Sequence, residues 1–290
     1  MTKSINKLIP DIYNLVRQKD EWFNDARAND FATSVARRLQ TQLGAKPRAP
    51  SLRLSKMGQG CPRAFWYSLY HPELAEPLPP WAEIKYSFGH IVEALAITLA
   101  KSAGHTVEGE QEHVVLDGIA GHLDCIVDGC VVDVKSTSSR GFQKFKTGTI
   151  RYDDGFGYLE QLDGYVVACR DDPRVSQKHV GYILAVDKTL GHMVLYEHVV
   201  REEHIHERIR QVKQIAGLRE PPTCECHTVA DGKSGNRRLD MRASYSAYKH
   251  CCFPGLRTFL YSDGPVYLTH VGRKPDVREV DRHGQIVYLS

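Results

Sequence analysis

Apolar residues recur at helical spacing early in the chain, at Ile12 and Val16 and again at Phe31, Val35 and Leu39. Residues 1 to about 45 therefore read as helical. GAKPRAP (44–50) reads as a linker and HPELAEPLPP (71–80) as a proline-rich loop. A helix is expected to begin near Ser87, with Ile91, Ala94, Leu95, Thr98 and Leu99 as its apolar stripe and Gly104 at its end. Strand patterns follow in TVEGEQEHVVL, GIAGHLDCIV and CVVDVKS. YLEQLDGYVVACR predicts a helix, VGYILAVD and HMVLYEHVV predict two strands, and REEHIHERIRQVKQIAG predicts another helix. From Pro221 onward the chain is cysteine-bearing, glycine-rich and reads as irregular. This order predicts an α/β fold with a mixed central sheet flanked by helices. The expected organisation is a helical N-terminal region (1–50), a core (51–220) and a cysteine-containing C-terminal region packing on it (221–290).

One hairpin raises a chemical question. Asp128-Gly129 sits between two alternating runs, a strong signal for a two-residue type I′ turn. That register pairs Val127 with Cys130, Ile126 with Val131, Cys125 with Val132 and Asp124 with Asp133. Opposed residues share a face, with Cβ atoms roughly 4.5–5.5 Å apart, and like charges so placed destabilise the pair. Lys135 joins the same face, because a strand repeats every two residues. A divalent cation is the simplest compensation, and hard carboxylate oxygens suit Mg²⁺ or Mn²⁺. Such a site is suited to metal-assisted phosphodiester hydrolysis. The plainer reading is a solvent-facing hairpin with a salt bridge from Lys135.

Composition narrows the setting without deciding it. The net charge of +3 over 290 residues demands no nucleic acid. Arg37, Arg38, Lys46, Arg48, Arg53, Lys56 and Arg63 nevertheless cluster, and Arg140, Lys144, Lys146 and Arg151 form a second run with Phe142 and Phe145 interleaved. Basic residues mixed with aromatics suit a nucleic-acid backbone and its bases, although a solvated basic face has the same composition. No apolar run is long enough to span a membrane. The first residues carry charges throughout, without a signal-peptide core, so a cytoplasmic protein is expected. Eight cysteines in such a protein do not imply a disulfide framework. Cys125, Cys130 and Cys169 lie in apolar segments as ordinary buried thiols, leaving Cys61, Cys224, Cys226, Cys251 and Cys252 as candidates for a metal or cluster.

Asp124 followed by Asp133-Val134-Lys135 resembles the PD-(D/E)XK nuclease signature. Gln161-Leu-Asp-Gly-Tyr165 is similar to the QxxxY motif of the RecB-like branch, which includes bacteriophage and CRISPR-associated exonucleases. Gly89-His-Ile-Val-Glu93 matches the helix that supplies a metal-binding His or Glu there. The resemblance implies a restriction-endonuclease-like core that binds DNA and hydrolyses it from its ends with Mg²⁺ or Mn²⁺. It implies Glu93, Asp124, Asp133 and the Val134 carbonyl as metal ligands and Lys135 as the catalytic lysine. Gln161 would orient Lys135 or a phosphate, and Tyr165 would contact the DNA backbone. His90, one turn before Glu93, is expected beside the site. Arg140, Lys144 and Lys146 are expected to line the DNA path. An endonuclease and an inactive nucleic-acid-binding module are the alternatives. A glycosidase with paired carboxylates fits Lys135, Gln161 and Tyr165 poorly.

Cys61-Pro-Arg-Ala-Phe-Trp-Tyr and the C-terminal stretch resemble segments that ligate an iron–sulfur cluster in this branch. Here Ala243 and Ser246 stand where two cysteine ligands are expected, and Cys252 fits the last position. Packing in place of a cluster is therefore the first reading. A cluster on Cys61, Cys224, Cys226 and Cys252 is a second. Zinc on Cys224, Cys226 and Cys251 or Cys252, with His227 or His250, is a third.

Overall fold

Asp128 and Gly129 both take positive φ, 49° and 80°, as a type I′ turn requires. Cys125, Ile126 and Val127 pair with Val132, Val131 and Cys130 across it, in the register the sequence predicts. The structure is a computed structural model that describes residues 3–18, 22–44, 50–58 and 60–287. The expected linker falls largely on 45–49, outside the described residues.

In chain order the helices and strands begin with α1 (Leu8–Gln18), α2 (Asp25–Leu43), α3 (Pro62–Tyr70) and α4 (Pro80–Ser102). Then come β1 (Val107–Glu108), β2 (His113–Leu116), β3 (Ile119–His122), β4 (Cys125–Val127), β5 (Cys130–Thr137), α5 (Ser139–Thr147) and α6 (Tyr158–Ala168). β6 (Val180–Asp187), β7 (Met193–Val199) and α7 (Glu202–Ala216) follow. The last elements are β8 (Thr228–Ala230), β9 (Arg237–Leu239), α8 (Met241–Ser244), α9 (Lys249–Cys252), β10 (Arg257–Tyr261), β11 (Gly264–His270) and β12 (Arg278–Val280).

The chain divides into two compact units. The first comprises Met1–Ala49, Arg53–Gly58 and Pro79–Ile209. Its sheet has the order β1-β4-β5-β6-β7, with β5 and β6 parallel and the other neighbours antiparallel. Parallel neighbours need a crossover, which α5 and α6 supply. The fold class is thus the expected mixed α/β sheet flanked by helices. One face of the sheet buries Cys125, Val127, Cys130, Val132, Val134, Tyr182 and Leu184 against Leu8, Ile12, Ala96, Ile97 and Ala100 of α1 and α4. Against β6, the missing side chain of Gly181 makes room for Leu162 and Val166 of α6, which a Cβ there would meet at 2.9 and 2.6 Å.

Two expectations for this unit need correction. α4 begins at Pro80, not near Ser87, because proline is compatible with the first turn of a helix, where its missing N–H costs nothing. The basic and aromatic run after β5 is helix α5, and its Phe142 and Phe145 are buried, so these rings fill the core and are not presented to bases.

The second unit comprises Pro50–Leu52, Gln59–Leu78 and Arg210–Ser290. It is not irregular. β12, β10, β11, β9 and β8 form a five-stranded antiparallel sheet, with Phe259 fully buried. Ser262-Asp263 turns the β10–β11 hairpin, and Gly264 after it takes φ +124°. Among the described residues no helix is long and apolar enough to cross a membrane.

One buried carboxylate anchors α6. Asp163 has no exposed surface. It accepts hydrogen bonds from Arg201 N (3.0 Å), Nε (3.0 Å) and Nη2 (2.7 Å), and lies 2.7 Å from His198 Nε2. Asp163→Ala would leave those donors without their acceptor. We expect a loss of roughly 2–4 kcal/mol, less than for a fully buried pair because the Arg201 guanidinium reaches solvent. Urea unfolding measures it, and a change below about 0.5 kcal/mol would contradict this anchoring role.

Candidate functional site

The hairpin, α2, α4 and α6 deliver one polar cluster within the first unit. Asp133 lies on β5, with no exposed surface. Lys135, two residues on, places Nζ 2.9 Å from Asp133 Oδ1 and 2.7 Å from Oδ2. Lys135 Nζ also donates to Gln161 Oε1 at 3.3 Å and sits 5.1 Å above the Tyr158 ring. Gln161 in turn donates to the Tyr165 hydroxyl at 3.0 Å, an i,i+4 contact along α6. Asp124, just before β4, accepts from the Val134 amide at 2.8 Å. Glu93 is 8% exposed, although the apolar stripe of its helix alone would turn it toward solvent.

Sequence reasoning did not find the partners of Glu93. Arg38 of α2 lies 3.1 Å from Glu93 Oε1. Gln111 donates to Glu93 at 2.7 Å and reaches Asp124 at 3.4 Å. Arg38 is buried, so it does not belong to a solvated basic face with its neighbours in sequence. No local pattern marks Arg38 or Gln111, since both reach the site through tertiary packing. Tyr158 was findable, because it precedes Gln161 by three residues and shares its helix face.

The structure places the remaining expected residues differently. Tyr165 is 2% exposed, with its ring against β3 at Gly121. His90 is half exposed, its Nδ1 4.0 Å from Glu93 Oε2. On α5, Arg140 and Lys146 are exposed, while Lys144 pairs with Asp153 at 2.6 Å.

Burial is the largest influence on the electrostatics, and charge crowding adds to it. Burial, then Glu93 and Asp133, push the Asp124 carboxyl well above the usual carboxylate range. Burial also raises Asp133, against the pull of Lys135. Burial works against the Lys135 charge, but Asp133 and Asp124 outweigh it and hold the ammonium protonated more firmly than usual.

The donor chemistry fits a hard divalent cation. Three carboxylates converge, and Asp133 Oδ2 is buried with no hydrogen-bond partner among the described residues despite the nearby ammonium. Glu93 is held by Arg38 and Gln111, Asp124 by the Val134 amide and Asp133 by Lys135. Among the described residues, the potential metal ligands whose donor atoms all lie within 4.8 Å of one another are those of a different group, Cys61, Cys224, Cys226 and Cys252 in the second unit. Hydrogen bonds from Cys226 and Cys252 hold the Cys61 thiol far below its usual pKa, and contacts with Cys226 and Cys61 push Cys252 far above it.

No protein-family model matches the chain, and no curated protein does. Solved structures that resemble it include the protein designated SSO0001, with a TM-score of 0.42 and 15% identity, covering 76% of this chain and 95% of that one. An alkaline exonuclease from Laribacter hongkongensis is similar with a TM-score of 0.31 and 15% identity, covering 67% of this chain and 79% of that one. The same exonuclease in complex with dAMP gives 0.38 and 14%, covering 58% and 87%.

Asp124 binds its proton more tightly in the folded chain than in the unfolded one. The folded state therefore carries the extra proton from about pH 4, the ordinary aspartate range, upward, and stability falls as pH rises through that window. Asn at this position can still accept from the Val134 amide. In metal-free buffer Asp124→Asn should therefore be more stable than the parent at pH 8, with the advantage shrinking toward pH 4. Urea midpoints at the two pH values test this, and a parent at least as stable as the variant at pH 8 would contradict the electrostatic reading.

Proposed function

We propose that the chain is a metal-dependent deoxyribonuclease of the RecB-like PD-(D/E)XK kind, acting on DNA ends as bacteriophage exonucleases of that branch do. The observation that carries this reading is the convergence of Asp124, Asp133 and Lys135, with Gln161 from α6 and Glu93 from α4. Glu93, Asp124, Asp133 and the Val134 carbonyl would hold Mg²⁺ or Mn²⁺. When bound, that ion supplies a Lewis acid for the phosphate and lowers the pKa of a water.

The protein's own groups divide the remaining work. Lys135 is held as an ammonium by Asp133 and Asp124, so it acts as a fixed positive charge and not as a free base. It would orient the attacking water and stabilise negative charge growing on the phosphoryl oxygens. Gln161 fixes the direction of that ammonium, and Tyr165 fixes Gln161. The buried hydroxyl of Tyr165 thus supports the site from within through Gln161, and its burial argues against the direct contact with the DNA backbone that the resemblance implies. Arg38 and Gln111 hold Glu93 in place until a cation competes for it. Arg140, Lys144 and Lys146 on α5 would follow the DNA backbone, with Lys144 first giving up Asp153.

End-labelled linear DNA and closed circular DNA, each with Mg²⁺, Mn²⁺ or EDTA, test the reading. We expect metal-dependent loss of linear DNA alone, and Lys135→Ala should lower the rate by at least about 10²–10³-fold. Cleavage of the circle would favour an endonuclease. DNA binding without cleavage in any metal would favour the inactive module.

A second measurement addresses the DNA path. Replacing Arg140, Lys144 and Lys146 together by Ala should weaken DNA binding. On duplex DNA the slope of log K against log salt should fall by about 0.9 for each phosphate that is no longer neutralised. An unchanged slope would remove α5 from the DNA path.

A further inference from the structure

Three segments distant in sequence meet in the second unit through sulfur. Cys61 is the N-cap residue of α3, Cys224 and Cys226 lie in the strand-free stretch before β8, and Cys252 ends α9. Cys61 Sγ lies 3.8 Å from Cys224 Sγ and 3.8 Å from Cys252 Sγ, and all four sulfurs lie within 4.8 Å of one another. The backbone N–H of Cys226 points at Cys224 Sγ at 3.4 Å, the kind of donor that supports a metal-bound thiolate.

The spacing discriminates between metal centres. Four sulfurs, each about 2.3 Å from one tetrahedral zinc ion, lie about 3.8 Å from one another. An iron–sulfur cube places each cysteine on a different iron at its own corner, with the irons and sulfides between them. Sulfurs in near contact leave no room for that body. The four residues therefore do not fit the cluster that the resemblance implies.

The ligand set differs from the expected pattern for a packing reason. Ala243, where a cysteine ligand is expected, is buried with Leu239 and Leu256 in an apolar group against which Cys226 packs. Ser246 accepts the Tyr248 amide through its hydroxyl. Cys226, approaching from the loop side, lies against the pocket that Ala243 leaves apolar. Histidine does not complete the set, since His250 is engaged by Glu76. Cys251 points out of the group, because successive residues on a helix lie about 100° apart.

We propose that Cys61, Cys224, Cys226 and Cys252 form a mononuclear tetrathiolate zinc site that holds α3, the loop before β8 and α9 together. The site goes beyond the hydrolytic reading and does not depend on it. Its role is structural: a closed four-ligand ion leaves no position for substrate. It cross-links residues 191 apart in the chain, Cys61 and Cys252, which favours the folded state by restricting the unfolded one.

Metal analysis of the full chain, purified without oxygen so that an iron cluster would survive, tests the proposal directly. About one zinc per chain is expected, with no acid-labile sulfide and no visible absorption. Replacement by Co²⁺ should give intense tetrahedral d–d bands and sulfur-to-cobalt charge transfer. Titration of the parent protein with an organomercurial should release the zinc in step with four thiols, a readout that needs no variant. Cys251→Ser should retain the zinc, whereas Cys224→Ser and Cys226→Ser should each lose most of it. Iron with sulfide, iron without sulfide, or no metal together with four freely reactive thiols would each overturn the proposal. Retention of zinc by both Cys224→Ser and Cys226→Ser would overturn the ligand assignment.

Discussion

The first unit is built around a repulsion. A type I′ turn at Asp128-Gly129 fixes the register of β4 and β5 as far as Cys125–Val132, and just beyond that pair Asp124 sits on the Val134 amide within the field of Asp133. With both ionised, two carboxylates about 5 Å apart at an effective dielectric of about 20 would repel by about 3 kcal/mol, and Asp124 accordingly holds its proton more tightly than usual. A domain is stable by only about 5–15 kcal/mol in all, so the surroundings must answer that cost. Glu93 adds a third negative group. The answer comes from Arg38 on α2, Lys135 on β5, Gln111 from the turn before β2 and the Val134 amide. The helices are thus placed by charge as well as by packing. α2 must deliver Arg38, and α6 must deliver Gln161 to fix Lys135. Asp163 ties α6 to Arg201 and His198, so the orientation of Gln161 rests on a second buried carboxylate one half-turn along the same helix.

The legibility of these parts in the sequence follows their range. The hairpin was readable because its turn chemistry is local: two residues at positive φ, flanked by alternating apolar positions, admit few alternatives. Gln161 and Tyr165 were readable as an i,i+4 pair, and β6, β7 and the helix after them followed their periodicity. α5 was obscured by its own side chains. Phe142 and Phe145 stand at i,i+3, a helical spacing, but the lysines and arginine around them invited a reading as a surface strip. The C-terminal sheet was hidden for another reason. Three of its five strands, β8, β9 and β12, have three residues each, too short for alternation to register, and a bulge between Leu268 and His270 interrupts β11. The β10–β11 hairpin around Ser262-Asp263 did carry a turn signal, in the glycine that follows. Arg38 and Gln111 left no local trace at all.

The cysteines show where a spacing rule fails. Adjacent cysteines are poor ligand pairs in an extended chain, where successive side chains point to opposite faces, and Cys-x-Cys there keeps its thiols on one face but about 6.5–7 Å apart. In the folded second unit the backbone is not extended at these points. α9 turns Cys252 inward and Cys251 away, and the loop at Glu225 bends enough to bring both flanking thiols to Cys61. Spacing rules describe common loops. They do not exclude uncommon ones, and here the decisive quantity is the separation of the sulfurs.

The two clusters face the same problem, and the fold answers it differently. Carboxylates in the first unit are met by side-chain cations, Arg38 on Glu93 and Lys135 on Asp133. The thiols of the second unit are met by one another and by the amides of Ala64, Glu225 and Cys226. Amide dipoles can support one thiolate, but four thiolates in near contact require a full positive charge among them. Four such thiolates are suited to an ion that stays.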